Sequence, residues 1–106
     1  MFGLFKNFFG AGSAEICAAI DQGAFLVDVR TPGEFASGSV QNAVNIPLDK
    51  IETQLAKFQN KKQIVVFCRS GARSGQAKRI LEKCGINCTI INGGGVQQVH
   101  DALNTK

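Results

Sequence analysis

Tryptophan and tyrosine are absent from this 106-residue chain, histidine and methionine occur once each, and proline occurs twice. With every aromatic a phenylalanine, the mixed stacking platforms that bind single-stranded nucleic acid are missing. One histidine leaves no His-based metal site, and Cys17, Cys68, Cys84 and Cys88 show none of the paired CxxC spacing that holds zinc. No run of like charge occurs. The net charge of +4 is modest, and the two adjacent basic pairs, Lys61-Lys62 and Lys78-Arg79, read as solvated faces. Nucleic acid is therefore excluded as a partner, and weak attraction to small anions is all that the charge implies. No apolar stretch approaches the roughly 20 residues that span a bilayer. The segment Met1 to Phe9 holds four of the eight phenylalanines but is short and interrupted. It also lacks the basic start and continuous apolar core of a secretion signal. Residues 1–12 are expected to form a hydrophobic arm folded onto the domain or a partner subunit. A shallow membrane contact by residues 1–9 is the lesser alternative, because interfacial anchors usually carry several cations.

What is present suits one compact domain over residues 13–106, with 44% hydrophobic and 19% charged residues. Such a core needs no disulfides, so a reduced, cytoplasmic chain is expected. The chain alternates strands with helices. Ser13 is placed to cap a helix with Ile16, Ala19 and Ile20 on one face and Gly23 as its stop. Phe25 to Val29 reads as a buried strand. Thr31-Pro32-Gly33-Glu34 has the form of a capping box with proline at the first helical position, and the turn it starts should end by Gly38. Val44 to Pro47 is a brief extended segment. Asp49 and Glu52 form a second candidate capping box before a helix with Ile51, Leu55 and Phe58 inward.

The chemistry concentrates in Ile64-Val65-Val66-Phe67-Cys68-Arg69-Ser70-Gly71-Ala72-Arg73-Ser74. Four β-favouring apolar residues in a row suit a strand covered on both faces. From Arg73 onward Ala77, Ile80, Leu81 and Cys84 recur at helical spacing, and Gly85 is the natural C-cap. A cysteine just before a helix N-terminus, beside two arginines, should lose its proton easily. Cys88 to Ile91 is a last short strand, Asn92 to Gly95 a turn beside the loop, and Val96, Val99 and Leu103 one face of a closing helix. Cys84 is expected on an inward helical face and Cys88 at a strand start, both as core residues, with His100 on the surface. The pattern implies an α/β fold with a mostly parallel sheet covered on both faces, and Cys68 at the carboxyl end of a strand, where such sheets bind ligands.

Three stretches together resemble the rhodanese homology domain: Asp28-Val29-Arg30-Thr31-Pro32-Gly33-Glu34-Phe35 continuing to Asn45-Ile46-Pro47-Leu48, then Cys68 to Ser74, then Asn92-Gly93-Gly94. The resemblance implies a three-layer fold with a five-stranded parallel sheet between helices. It implies a single-domain sulfurtransferase in which Cys68 takes sulfane sulfur from a donor such as thiosulfate, as a persulfide, and passes it to cyanide, a small thiol or a protein. Neither metal nor organic cofactor is implied, since the cysteine itself carries the group. Arg69 and Arg73 would hold the outgoing anion, and amides from Arg69 through Ser70, Gly71, Ala72, Arg73 and Ser74 would cradle the persulfide. Asp28, Arg30 and Glu34 read as structural, Arg30 pairing with Glu34 or another carboxylate. Two departures stand out. Ser39 occupies a place where the family often has histidine, and no tryptophan follows the glycines. Phosphatases and arsenate reductases of the same fold place five residues between cysteine and arginine. Here four separate Cys68 from Arg73, which favours sulfur over a tetrahedral oxyanion. A docking or sulfur-delivery module without turnover of its own is the other alternative, kept open by the Phe-rich arm.

Overall fold

The computed structural model describes residues 11–104. In chain order these form α1 (Ser13–Asp21), β1 (Phe25–Asp28), α2 (Pro32–Ala36), β2 (Val44–Asn45), a 3-10 stretch (Leu48–Phe58), β3 (Gln63–Cys68), α3 (Ala72–Lys83), β4 (Thr89–Gly95) and α4 (Val96–Asn104). The sheet order is β2-β1-β3-β4, and every pairing is parallel. Its four strands correct the expected five among the described residues. The fifth was implied by family resemblance, whereas the residues themselves carry only four strand signals within this span. The Phe-rich segment 1–9 lies outside the described residues.

Side-chain alternation along β3 divides the core. Ile64, Val66 and Cys68 face one side, with Ile51, Phe58, Ala77 and Leu81 from the 3-10 stretch and α3. Val65 and Phe67 face the other, with Ala19 of α1 and Val99 of α4. A strand buried on both faces has no polar positions to alternate, which is why its sequence reads as one apolar run. Three layers result.

Local chemistry explains most boundaries. Thr31 accepts a bond from the Glu34 N–H, and the Glu34 side chain accepts from the Thr31 N–H, so the capping box forms in full. Ser13 does not cap α1. Gly12 holds that position, and its carbonyl accepts the first helical bond from Ile16 N at 3.2 Å, which makes Ser13 the first helical residue. The second expected capping box is also absent. Pro47 precedes the helical stretch, and Lys50 N donates to Pro47 O at 2.8 Å, an i to i+3 closure that sets a 3-10 turn. Gln54, with φ −127° and ψ 30°, interrupts this stretch midway. Cys84 is exposed rather than inward. Helix α3 ends there, Gly85 turns through φ +84°, and Ile86, with its N–H on Leu81 O at 3.0 Å, takes the inward place.

Between β3 and β4 the register advances from Val66↔Asn92 to Cys68↔Gly95, so β4 carries one extra residue just beside Cys68. The glycines make this bulge tolerable. A Cβ on Gly93 would lie 2.9 Å from both Val65 Cγ1 and Val99 Cγ2, and Gly94 has φ +81°. A Cβ on Gly95 would lie 2.3 Å from the Arg69 carbonyl oxygen. The expected turn at Asn92 to Gly95 is therefore the bulged end of a strand, drawn against the loop that follows Cys68. No helix among the described residues is long and apolar enough to cross a membrane.

Candidate active site

Cys68 is the last residue of β3, and only Arg69, Ser70 and Gly71 separate it from α3. Gly71 is the N-cap of that helix at φ 102°, a left-handed conformation that folds the loop back over the strand end. The reversal brings backbone donors onto sulfur. Gly71 N–H reaches Cys68 Sγ at 3.0 Å and Ser74 N–H at 3.4 Å, with Ser74 Oγ also at 3.4 Å. Cys68 itself is only 1% exposed. Burial pushes its thiol up, but the Ser74 hydroxyl and the N–H groups of Ser74, Gly71 and Ser70 outweigh burial and hold it below its ordinary value. The sulfur is thus shielded from solvent and surrounded by donors, an arrangement that suits an anion.

The two loop arginines behave differently. Arg73 directs both terminal nitrogens to Glu34, Nη1 to Oε1 at 2.7 Å and Nη2 to Oε2 at 3.0 Å. This fork ties α3 to the capped α2 turn. The hydrogen bond from Arg73, then those from Thr31, hold the Glu34 carboxyl down at about 2. Arg69 is exposed, and its side chain makes no hydrogen bond or ion pair with another described residue. Ser70 and Ala72 are exposed on the same loop.

Beneath α2, Asp28 and Arg30 form a buried pair. Arg30 Nη2 donates to Asp28 Oδ2 at 2.7 Å and Nε to Oδ1 at 2.9 Å, with side-chain exposures of 7% and 0%. The other carboxylate that Arg30 was expected to find is Asp28, not Glu34. Ser39 Oγ donates to Asp28 Oδ2 at 2.7 Å, and Arg30 Nη2 also reaches Gly38 O at 2.7 Å. Asn45 Nδ2 bridges the carbonyls of Asp28 and Arg30 at 2.9 and 3.0 Å. These bonds set the path of the β1–α2 turn and so position Glu34 opposite Arg73.

Asn92 received no role from its sequence alone, although it opened a recognised motif. Its Oδ1 accepts from Ser74 Oγ at 2.7 Å and from Gly94 N–H at 2.9 Å, while its Nδ2 donates to Gly71 O at 3.0 Å. Gln98 Oε1 accepts from Gly95 N–H at 2.8 Å, closing the same corner from α4. The signal for Asn92 was a lone amide side chain at the end of an apolar strand, directly before a glycine run. Cys88 is half-buried, and burial pushes its thiol up, away from nucleophile chemistry. His100 is exposed on α4, as expected.

Comparison with known proteins matches this architecture. The family model described as a rhodanese-like domain covers residues 13–100. The chain is 37% identical over 71 residues to a sulfurtransferase of Allochromatium vinosum, covering 67% of this chain and 66% of that protein. It is 36% identical over 75 residues to the thiosulfate sulfurtransferase PspE of Escherichia coli, covering 69% and 71% respectively. Among solved structures, an Escherichia coli rhodanese with anions superposes with a TM-score of 0.63 at 35% identity, over 71% of this chain and 89% of that one. A human single-domain sulfurtransferase superposes with a TM-score of 0.65 at 27% identity, over 81% of this chain and 90% of its own. The parallel sheet, the cysteine loop at its carboxyl edge and these matches together make the chain a member of the rhodanese-like domain family.

Proposed function

We propose that this protein is a sulfurtransferase that carries sulfane sulfur as a persulfide on Cys68. The reading is carried by one observation: a shielded cysteine sulfur that receives the Gly71 and Ser74 N–H groups at 3.0 and 3.4 Å. Such donors stabilise a thiolate before reaction and a persulfide anion after it, without either charge meeting bulk water. The relatives named as sulfurtransferases support the same assignment.

In the first half-reaction the Cys68 thiolate attacks the outer sulfur of thiosulfate. The new sulfur–sulfur bond forms as the bond to the sulfonate sulfur breaks, and sulfite leaves with the bonding electron pair. In the second, cyanide, a small thiolate or the thiolate of a protein partner attacks the outer persulfide sulfur and returns Cys68 as thiolate. Arg69, with its guanidinium unpaired among the described residues, is the cation that meets the incoming and outgoing anion. Arg73 acts through its fork on Glu34, holding the first turn of α3 in place. Ser70 and Ala72 line the exposed rim that the donor approaches.

Incubation with thiosulfate followed by intact-mass measurement should show one added sulfur, absent in Cys68→Ser. No added sulfur in the parent protein, or equal uptake by the variant, would sink the reading. Cys68-dependent hydrolysis of an aryl phosphate would instead favour phosphoryl chemistry. Sulfur uptake without steady-state turnover on cyanide or thiols would mark a delivery module.

A further inference from the structure

The Ser74 hydroxyl stands between two groups that compete for its single proton. Asn92 Oδ1 lies 2.7 Å away and Cys68 Sγ 3.4 Å away. The orientation of the Asn92 amide is fixed by its other two bonds. Gly94 N–H needs an acceptor where Oδ1 sits, and Gly71 O needs a donor where Nδ2 sits. Flipping the amide would set donor against donor and acceptor against acceptor, so Asn92 presents oxygen to Ser74. Ser74 therefore donates to Asn92 and turns lone pairs toward the sulfur. That arrangement suits the thiol, whose S–H can donate to Ser74 Oγ, and does not suit the thiolate, which needs a donor.

We infer that Asn92 is a positioning residue whose carbonyl sets which way the Ser74 hydroxyl points, and thereby opposes ionisation of Cys68. When the thiol releases its proton to solvent, the Ser74 hydroxyl rotates onto the sulfur, because a bond to an anion outweighs a neutral one. Asn92 Oδ1 loses that bond and keeps Gly94 N–H. The same rotation accompanies persulfide formation, since the inner sulfur then has no proton to donate. Ionisation therefore costs about one neutral hydrogen bond more than it would if Ser74 had no acceptor at Asn92. The inference deepens the role of Cys68 as nucleophile and rests on that reading, but its test does not use sulfur transfer.

The charges around the site must be held constant. Arg73 of α3 acts electrostatically on Cys68 and is paired with Glu34 of α2, Asp28 with Arg30 lies at the end of β1, and Arg69 follows Cys68 on the exposed loop. Strand β4 brings no charged side chain. A substitution at Asn92 by a neutral residue leaves all of these in place.

The experiment is the pH dependence of Cys68 alkylation by iodoacetamide, read by mass, in the parent protein, Asn92→Ala, Ser74→Ala and the double variant. Asn92→Ala should lower the midpoint by about half to one pH unit, the equivalent of one neutral hydrogen bond. The same substitution on the Ser74→Ala background should not lower it. A role for Asn92 as a mere strut to Gly71 makes the opposite forecast, a raised midpoint on both backgrounds, and that result would overturn the inference. Equal lowering with and without the hydroxyl would overturn it as well. Where Asn92→Ala fails to fold by circular dichroism, the infrared S–H stretch decides instead. The band lost in Cys68→Ser should move to higher frequency in Ser74→Ala as the S–H loses its acceptor, and an unmoved band refutes the inference. Failure of thiosulfate to load Cys68, with the midpoint shifts intact, would reject the sulfurtransferase reading alone.

Discussion

At the scale of single residues, the sharpest division lies between Arg69 and Arg73. Their sequence positions are equivalent, four residues apart around one thiol, and both were expected to bind an anion. Glu34 separates them by occupying the Arg73 fork. Replacing Arg69 with Ala should raise the KM for thiosulfate about tenfold or more, the worth of a charge-assisted hydrogen bond. Steady-state kinetics with anionic and neutral donors check this, since a neutral donor should lose much less. Glu34 offers a pH test. Its folded value of about 2 lies below its ordinary 4.5. The stability it contributes is complete above about 4.5 and drains away as the pH falls toward 2. Urea unfolding of the parent protein and Glu34→Gln should accordingly converge over that window. Asp28 is a different case, because its partner is buried. Asp28→Asn leaves Arg30 an uncompensated charge and should cost about 3–5 kcal/mol in urea unfolding.

At the scale of elements, the site is made where three ends meet: the end of β3, the start of α3 and the bulged end of β4. The glycine run permits the meeting, as the contact of Gly95 with the Arg69 carbonyl illustrates. Gly95→Ala should push the loop outward, slow iodoacetamide alkylation of Cys68, and destabilise the fold by about 1–3 kcal/mol. An unchanged alkylation rate would show that the loop does not lean on β4. The elements legible beforehand were those whose signals are local. Thr31 and Glu34 lie three residues apart and find each other within one turn. The apolar run of β3 likewise needs only a sheet around it. Elements that depend on competing local closures are not legible in this way. Asp49 and Glu52 had the capping pattern, but Pro47 closed a 3-10 turn before they could act. Helical spacing carries the inward face of α3 to Cys84, yet the turn at Gly85 hands that position to Ile86.

For the whole molecule, stability comes from two apolar layers on either side of β3, joined at the site by polar bonds. Phe58 lies in one layer at 1% exposure, packed edge-on to Phe25 with ring centroids 5.9 Å apart. Phe58→Ala should cost about 3–5 kcal/mol by chemical denaturation. Cys68 faces this same layer, so core substitutions are expected to reach the site through β3. The missing tryptophan near the last helix is accommodated by small packing, with Val99 and Ala102 buried on α4. The place where the family often has histidine is filled by Ser39, which supplies its hydroxyl to Asp28.

From the sequence alone came the class of fold, the parallel run of strands, the cysteine at a strand's carboxyl end and the loop of four residues between Cys68 and Arg73. Each of these follows from hydrophobic period, turn residues and spacing along the chain, which are properties of neighbours. Only the tertiary structure decided that Arg73 takes Glu34, that Arg69 stays unpaired among the described residues, and what Asn92 does. Those outcomes depend on distances between groups 18 to 39 residues apart. Directional bonds at such separations are chosen by the packed backbone, and a linear pattern carries no record of them.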